Sequence, residues 1–276
     1  MNLKIRPRRH AINPITPALG AWILLAGLAA APSAWAEEPI STDRPDFVES
    51  SLVVGPGRMQ IDTSVAYQRN TQGGEVARVL AVPTLLRIGL GESWEARAET
   101  DGWLSQRVED GSGQQTDTTG FSDVALGVKY HLPGAGPFDA SSALLLHVDL
   151  ATGAKPFRGD GARPSLRYVA EWEIADRCSL GVMPGLAYQT DSAGQRYLSG
   201  IAGITIAYAW TERFRSFVEL AAEELAAADH ADTQLSLDTG VAYLLSNDLQ
   251  LDAALYSGLN GHTPDTTATL GVSFRW

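Results

Sequence analysis

Charged and ionisable side chains in this chain sit at alternate positions inside stretches that are otherwise apolar. Arg87, Glu95, Arg97, Glu99, Asp123, Lys129, His131, His147, Asp149, Glu171, Glu219 and Asp252 share that setting, each on the polar side of a two-residue alternation. Asp62, Asp101, Arg167, Glu173, Arg215, Asp238 and Arg275 extend the set. A charge buried alone is strongly unfavourable, so mixed signs on neighbouring strands imply ion pairs around a hydrated lumen. Such a lining passes or rejects small solutes. Acids outnumber bases in it, so the field met by a solute is mildly negative and favours cations. The bland alternative is that these pairs only prop a wall and close the lumen.

Covalent and metal chemistry find little support. No Gly-x-Ser-x-Gly elbow, His-Glu-x-x-His, Cys-x-x-Cys or phosphate loop occurs. A barrel lipase or acyltransferase needs a Ser–His pair on the lipid-facing wall, and the pattern places none there. His131 and His147 fall on consecutive strands and, with Asp149 or Asp123, make a conceivable metal site. Ordinary residues of a wet lumen explain them more simply. His230 and His262 lie in loops. Arg158-Gly159-Asp160 copies an adhesion tripeptide, but three residues in a Gly-rich loop carry little weight. Cys178 is the only cysteine, so no internal disulfide forms. No catalytic residue, cofactor or metal is expected.

The elements that must hold these residues are strands. From about residue 57 the chain divides into twelve alternating stretches, at 57–69, 77–90, 94–104, 121–132, 141–151, 164–175, 178–189, 196–210, 213–224, 234–245, 248–258 and 266–276. In the first, Met59, Ile61, Val65 and Tyr67 oppose Gln60, Asp62, Ser64 and Gln68. Each is long enough to cross hydrocarbon as a tilted strand. Short turns at 91–93, 175–177, 211–212 and 246–247 alternate with longer polar loops at 105–120, 152–163, 222–233 and 259–265. The connection 133–140 is long for the short-turn side. This rhythm describes an all-β, 12-stranded antiparallel up-and-down transmembrane β-barrel, with an even strand count that returns both ends to one side.

Aromatic residues fall where two membrane interfaces belong. Trp94, Tyr130, Trp172, Trp210, Phe214, Tyr243, Phe274 and Trp276 lie toward the short turns, and Tyr67, Trp103, Phe121, Tyr188 and Tyr197 toward the long loops. The partners implied are outer-membrane lipid and lipopolysaccharide. The rival is a soluble barrel or sandwich with its apolar face inward. Too many apolar residues line these faces for a small closed core, and the opposite faces carry many charges.

Residues 1–36 read as a cleaved signal peptide: Lys4, Arg6, Arg8 and Arg9, then an apolar stretch, then Ala34-Trp35-Ala36. Its removal takes four of 21 basic residues and none of 32 acids, leaving 17 against 32 and a net charge near −15. A chain so acidic does not bind nucleic acid by counterion release. Export places the mature protein in the Gram-negative cell envelope, in the outer membrane. Residues 37–56 show no alternation. In Ser41-Thr42-Asp43-Arg44-Pro45-Asp46-Phe47-Val48-Glu49-Ser50-Ser51, two acids flank an Arg-Pro between turn-forming residues. This stretch is expected to fold back into the barrel mouth as a plug-like segment, with Asp43, Arg44 and Asp46 paired to lumen charges; a frayed periplasmic tail is the alternative. The barrel itself occupies 57–276.

The chain ends on Gly271-Val272-Ser273-Phe274-Arg275-Trp276, which resembles the closing strand of outer-membrane barrels. That resemblance implies recognition of Trp276 by the barrel-assembly machinery. Thr42 to Ser50, Leu85-Leu86-Arg87-Ile88-Gly89-Leu90, Phe121 to Tyr130 and Tyr243 to Asp252 occur in the same order as in one family. Together with the ending they resemble the outer-membrane "transporter" family, also labelled "putative MetA-pathway of phenol degradation". Only Glu92-Ser93 and Thr211-Glu212 depart, where the family often has Thr-Asp. The resemblance implies a porin-like β-barrel moving small molecules, aromatic compounds among them, in or out. Solute identity and direction are left open by it.

Overall fold

The structure, a computed structural model, describes residues 38–134, 136–190, 194–226 and 233–276. The expected signal peptide and His230 lie outside them.

Sixteen strands build twelve staves of one closed antiparallel barrel. Four staves consist of two strands in line: β2 (Glu75–Ala81) with β3 (Thr84–Gly89), β4 (Trp94–Thr100) with β5 (Trp103–Glu109), β6 (Gln115–Phe121) with β7 (Val124–Leu132), and β10 (Cys178–Val182) with β11 (Gly185–Thr190). The other eight are single strands. They are β1 (Met59–Gln72), β8 (Ser141–Leu150), β9 (Arg163–Ala175), β12 (Arg196–Ala209), β13 (Phe214–Leu225), β14 (Gln234–Ser246), β15 (Leu249–Gly258) and β16 (Thr266–Arg275). Two breaks fall at prolines, Pro83 and Pro184, which have no N–H to give the ladder. The ring closes where β16 pairs with β1, from Gln60 opposite Arg275 to Arg69 opposite Thr266. No sheet edge is left along that seam.

One of the expected long loops is largely strand instead. The segment 105–120 continues β5 to Glu109 and starts β6 at Gln115, with Arg107 paired to Asp117 at 2.7 Å. Polar residues with β-branched neighbours suit a wet hairpin above the membrane, which hydropathy alone reads as loop. Only 110–114 turns, where the Asp110 carboxylate accepts the N–H groups of Ser112 and Gln114. The first two staves also reach beyond their expected bounds: β1 runs to Gln72 and meets β2 through Gly73-Gly74, both at positive φ.

The alternation sorts the faces. Leu126, Leu146, Leu166, Leu198, Ile206, Val218, Leu255 and Leu270 all point outward and exposed. Gln60, Asp62, Arg87, Glu95, Lys129 and Glu219 point inward and are buried. An apolar belt this continuous is not compatible with water, so the inward-greasy soluble barrel does not describe this chain. Aromatic pairs mark the short-turn rim: Trp94 on Tyr130 at 4.4 Å and Phe274 on Trp276 at 5.6 Å between ring centroids. Tyr197 departs from the expected belt. It faces inward and its hydroxyl donates to Glu224 at 2.6 Å, because an even step from buried Ser199 puts it on the polar face.

Residues 38–58 contain no strand and rest against the inward face. At its exit the chain crosses β3 so closely that a Cβ on Gly89 would lie 2.1 Å from the Gly55 carbonyl oxygen. Gly89→Ala is therefore expected to push residues 54–55 off the wall at a cost of about 1–3 kcal/mol. The check is the temperature at which the compact band is lost on semi-native gels; an unshifted midpoint contradicts the contact.

Candidate permeation pathway

A peptide without secondary structure must satisfy its N–H and C=O groups elsewhere. Residues 38–58 do so on the barrel wall. The segment enters at the short-turn end, where Ile40 N–H donates to Asn247 O at 2.7 Å and Arg275 donates to Glu38 O at 2.7 Å. It climbs along β15: Gln250 donates to the Thr42 hydroxyl at 2.9 Å, and the Tyr256 hydroxyl donates to Pro45 O. It then crosses the lumen. The Glu219 carboxylate accepts both Phe47 N–H at 2.7 Å and Val48 N–H at 2.8 Å. On the way down, Glu171 accepts Ser51 N–H at 2.6 Å, His131 Nδ1 lies 3.0 Å from Ser51 O, and Glu95 accepts Val54 N–H at 2.9 Å. Phe47 and Val48 meet an inward apolar cluster, Ala143, Leu145, Val169 and Met183.

The ion pairs gather at the same level. Asp43 lies 2.8 Å from Lys129 Nζ, 3.1 Å from Arg97 Nη2 and 3.4 Å from Arg87 Nη1. Glu49 bonds Arg97 through a very short contact and Arg167 at 2.8 Å. Arg87 makes a two-pronged bond to Glu95, at 2.8 and 2.9 Å, with Asp62 at 3.6 Å. Among the ion-paired groups the wall contributes four cations, Arg87, Arg97, Lys129 and Arg167, against two acids, Asp62 and Glu95, while the wall's Glu171 and Glu219 accept backbone N–H groups of the segment. Asp43 and Glu49 supply the two missing charges. Burial works against both carboxylates. For Asp43 the charges of Arg87, Lys129 and Arg97 outweigh it, and for Glu49 those of Arg97, Lys129 and Arg167, so both sit below the ordinary carboxylate range. An open, hydrated set is thus not what this cluster shows: Arg87, Lys129, Asp62 and Glu95 are fully buried, and the four cations are balanced once Asp43 and Glu49 are counted.

The remaining sequence-selected residues divide. Arg44 approaches Asp252 at 3.7 Å and Asp46 approaches Arg215 at 3.8 Å, both within the lumen. His147 is buried over Gly127, where a Cβ would lie 2.1 Å from its ring, and it feels Arg97 and Glu49. Asp123 belongs elsewhere. It sits at the break between β6 and β7 and accepts Gly153 N–H and Gly159 N–H at 2.9 Å and Arg163 at 3.0 Å, tying long-side loops together. Burial raises its carboxyl, and those three donors outweigh it and hold it below the usual range. Asp149 stands opposite Arg163 at that same end. Among the described residues no group of three or more His, Cys, Asp or Glu is placed to hold a metal ion, so His131, His147 and Asp149 do not form one. Sequence reasoning did not single out Glu49, although acids at 43, 46 and 49 share one spacing.

Above the segment lies a cavity of about 750 Å³. Its floor is Asp43 to Phe47 and Glu49, its walls include Glu99, Asp101, Glu223 and Tyr256, and His262 to Pro264 line its long-loop side.

Comparison with known proteins agrees with this architecture. The COG4313 outer membrane channel from Pseudomonas putida F1 has the same fold, with a TM-score of 0.58 and 14% identity over 84% of this chain and 99% of that one. The beta domain of the Bordetella autotransporter BrkA is similar at a TM-score of 0.51 and 14% identity, covering 79% and 99% of the two chains. No curated protein sequence matches. Residues 42–276, beginning inside the lumenal segment and ending on the closing strand, match the pattern of one family, and the chain belongs to it: "Putative MetA-pathway of phenol degradation".

Proposed function

We propose that this protein is an outer-membrane channel that passes small solutes, aromatic or other small organic compounds among them, with residues 38–56 as its movable constriction. The observation that carries the reading is the charge mismatch of the wall. Within the ion-paired cluster four wall cations, three of them buried and Arg167 partly so, face two wall acids, and the lumenal segment completes them with Asp43 and Glu49. A barrel meant only as a scaffold could neutralise its wall with its own strands. The partner charges instead lie on a stretch with no ladder bonds to hold it, which suits a part that moves. The family's description and the fold shared with an outer membrane channel support the same reading. The full burial of Arg87, Glu95 and Lys129 favours the rival, a non-conducting structural or adhesion barrel.

Planar-bilayer recording decides between them. The intact protein should give small, flickering currents, and deletion of residues 41–54 should raise the conductance several-fold. The double variant Asp43→Asn/Glu49→Gln should move in the same direction, in case the deletion does not assemble. An absence of current in all three, across several ions and aromatic acids, defeats the channel. Recovery of the protein outside the outer-membrane fraction defeats the location.

A further inference from the structure

Three arginines stand side by side on the outer wall of the barrel, near the long-loop rim. The strand registers set Arg69 of β1 opposite Arg78 of β2, and Arg78 opposite Arg107 of β5. Residues directly opposite in an antiparallel ladder share a face, and here that face is the outward one. Arg69 follows exposed Tyr67 by two residues and Arg78 precedes exposed Leu80 by two, and Tyr67 and Leu80 are themselves opposite. Neighbouring Cα atoms in such a row are about 5 Å apart, so the three side chains spring from about 10 Å of wall. Like charges placed directly opposite destabilise a sheet. Two acids relieve the row in part. Glu109 lies 3.4 Å from Arg78, and Asp117 accepts a two-pronged bond from Arg107 at 2.7 and 3.2 Å. Both pairs are open to solvent and therefore weak. Arg69 is exposed, has Thr266 opposite it on its other side, and forms no hydrogen bond or ion pair with a described residue. Three cations against two acids leave the row positive, against the sign of a chain with 21 bases and 32 acids.

A second feature of the same outward face adjoins the row. A mostly apolar groove of about 670 Å³ crosses β14, β15, β16 and β1. Ala253 and Ala268 keep its floor low between the larger Val241, Leu255 and Leu270, and Tyr67 lines it on the β1 side. Arg69 stands two residues beyond Tyr67, about 7 Å along the strand. An anionic head beside an apolar tail is the shape that fits both features. Guanidinium groups bind phosphate through paired N–H donors, and a row of three is wider than one phosphate needs. On the channel reading, on which this site rests for its leaflet and not for its geometry, the long-loop rim faces the cell exterior. We propose that the outer wall carries a binding site for a phosphorylated glycolipid of the outer leaflet. Arg69, Arg78 and Arg107 hold its phosphates, and the groove below Tyr67 takes one acyl chain.

The test is binding of purified bis-phosphorylated lipid A to the detergent-solubilised mature protein, read by native mass spectrometry, which does not depend on conduction. Lipid A stripped of its phosphates should bind about tenfold or more weakly, a comparison that leaves the protein unaltered. Arg69→Gln/Arg78→Gln/Arg107→Gln should weaken binding of the phosphorylated form to a similar degree, and the corresponding triple lysine variant should retain part of it. Ala253→Phe/Ala268→Phe, which fills the groove, should weaken binding as well. Added salt should also weaken it. Equal binding of the stripped lipid, unchanged binding in the triple glutamine variant, or no lipid A binding overturns the proposal. Phosphatidylglycerol or inorganic pyrophosphate binding as tightly as lipid A overturns it too, by assigning the arginines to any phosphate. Current through the protein without lipid A binding removes this inference and leaves the channel standing; lipid A binding without current does the reverse.

Discussion

Arg97→Met should release residues 38–56 from the lumen while the barrel stays closed. Arg97 bonds both Asp43, at 3.1 Å, and Glu49, through its shortest contact, whereas Lys129 bonds Asp43 and reaches Glu49 only at 3.8 Å. Removing one partner of a buried pair strands the other charge, at about 3–5 kcal/mol. Full burial of a single apolar side chain such as Val48 contributes only about 1.5–3 kcal/mol. The stranded charge outweighs it. Amide exchange at Phe47, Val48, Ser51 and Val54 should accelerate by about a hundredfold or more, since their acceptors Glu219, Glu171 and Glu95 are held only while the segment stays seated. Strand amides of β1 and β16 should not change, which separates release from unfolding. Arg97→Lys should restore part of the protection, because one ammonium cannot serve both acids as a guanidinium fork does. Adding Glu49→Gln to Arg97→Met should recover some stability by removing a stranded acid. Unaltered exchange in Arg97→Met would sink the idea that these ion pairs seat the segment.

Strong acid should unseat residues 38–56 and raise the conductance, and neutral or alkaline pH should not. Asp43 and Glu49 have folded-state pKa values below their ordinary ones. Groups depressed in this way contribute stability that is fully present above the ordinary carboxylate pKa, about 4. That contribution is lost as pH falls toward the depressed folded values. Asp46 works in the opposite sense, since burial raises its carboxyl and the Arg215 charge, 3.8 Å away, does not offset this. It is one carboxylate with a distant partner against two with near ones, so the pair decides the sign. Conductance should stay flat from neutral pH down to about 5 and climb only below about 4. In Asp43→Asn/Glu49→Gln the acid response should largely disappear. Opening that begins at neutral or alkaline pH would show that other groups control the constriction.

What the amino-acid order determined here is what depends on neighbours only a few residues apart. Alternation with a period of two assigns each side chain of a strand to one face, so the lipid-facing belt, most strand positions and the family were legible in the sequence. The hairpin at 105–120 was misjudged because polar strands above a membrane and polar loops have similar composition, and only ladder bonds tell them apart. Which charges meet is a different kind of question. Asp43 bonds Lys129 across 86 residues, and Val48 bonds Glu219 across 171. No local pattern records such distances. They exist because β16 closes on β1 and bends twelve polar faces around one axis, where a segment without strand structure can reach many of them at once. The same closure gathers Arg87, Arg97 and Lys129 at the level where the segment crosses, which is where Asp43 and Glu49 meet them.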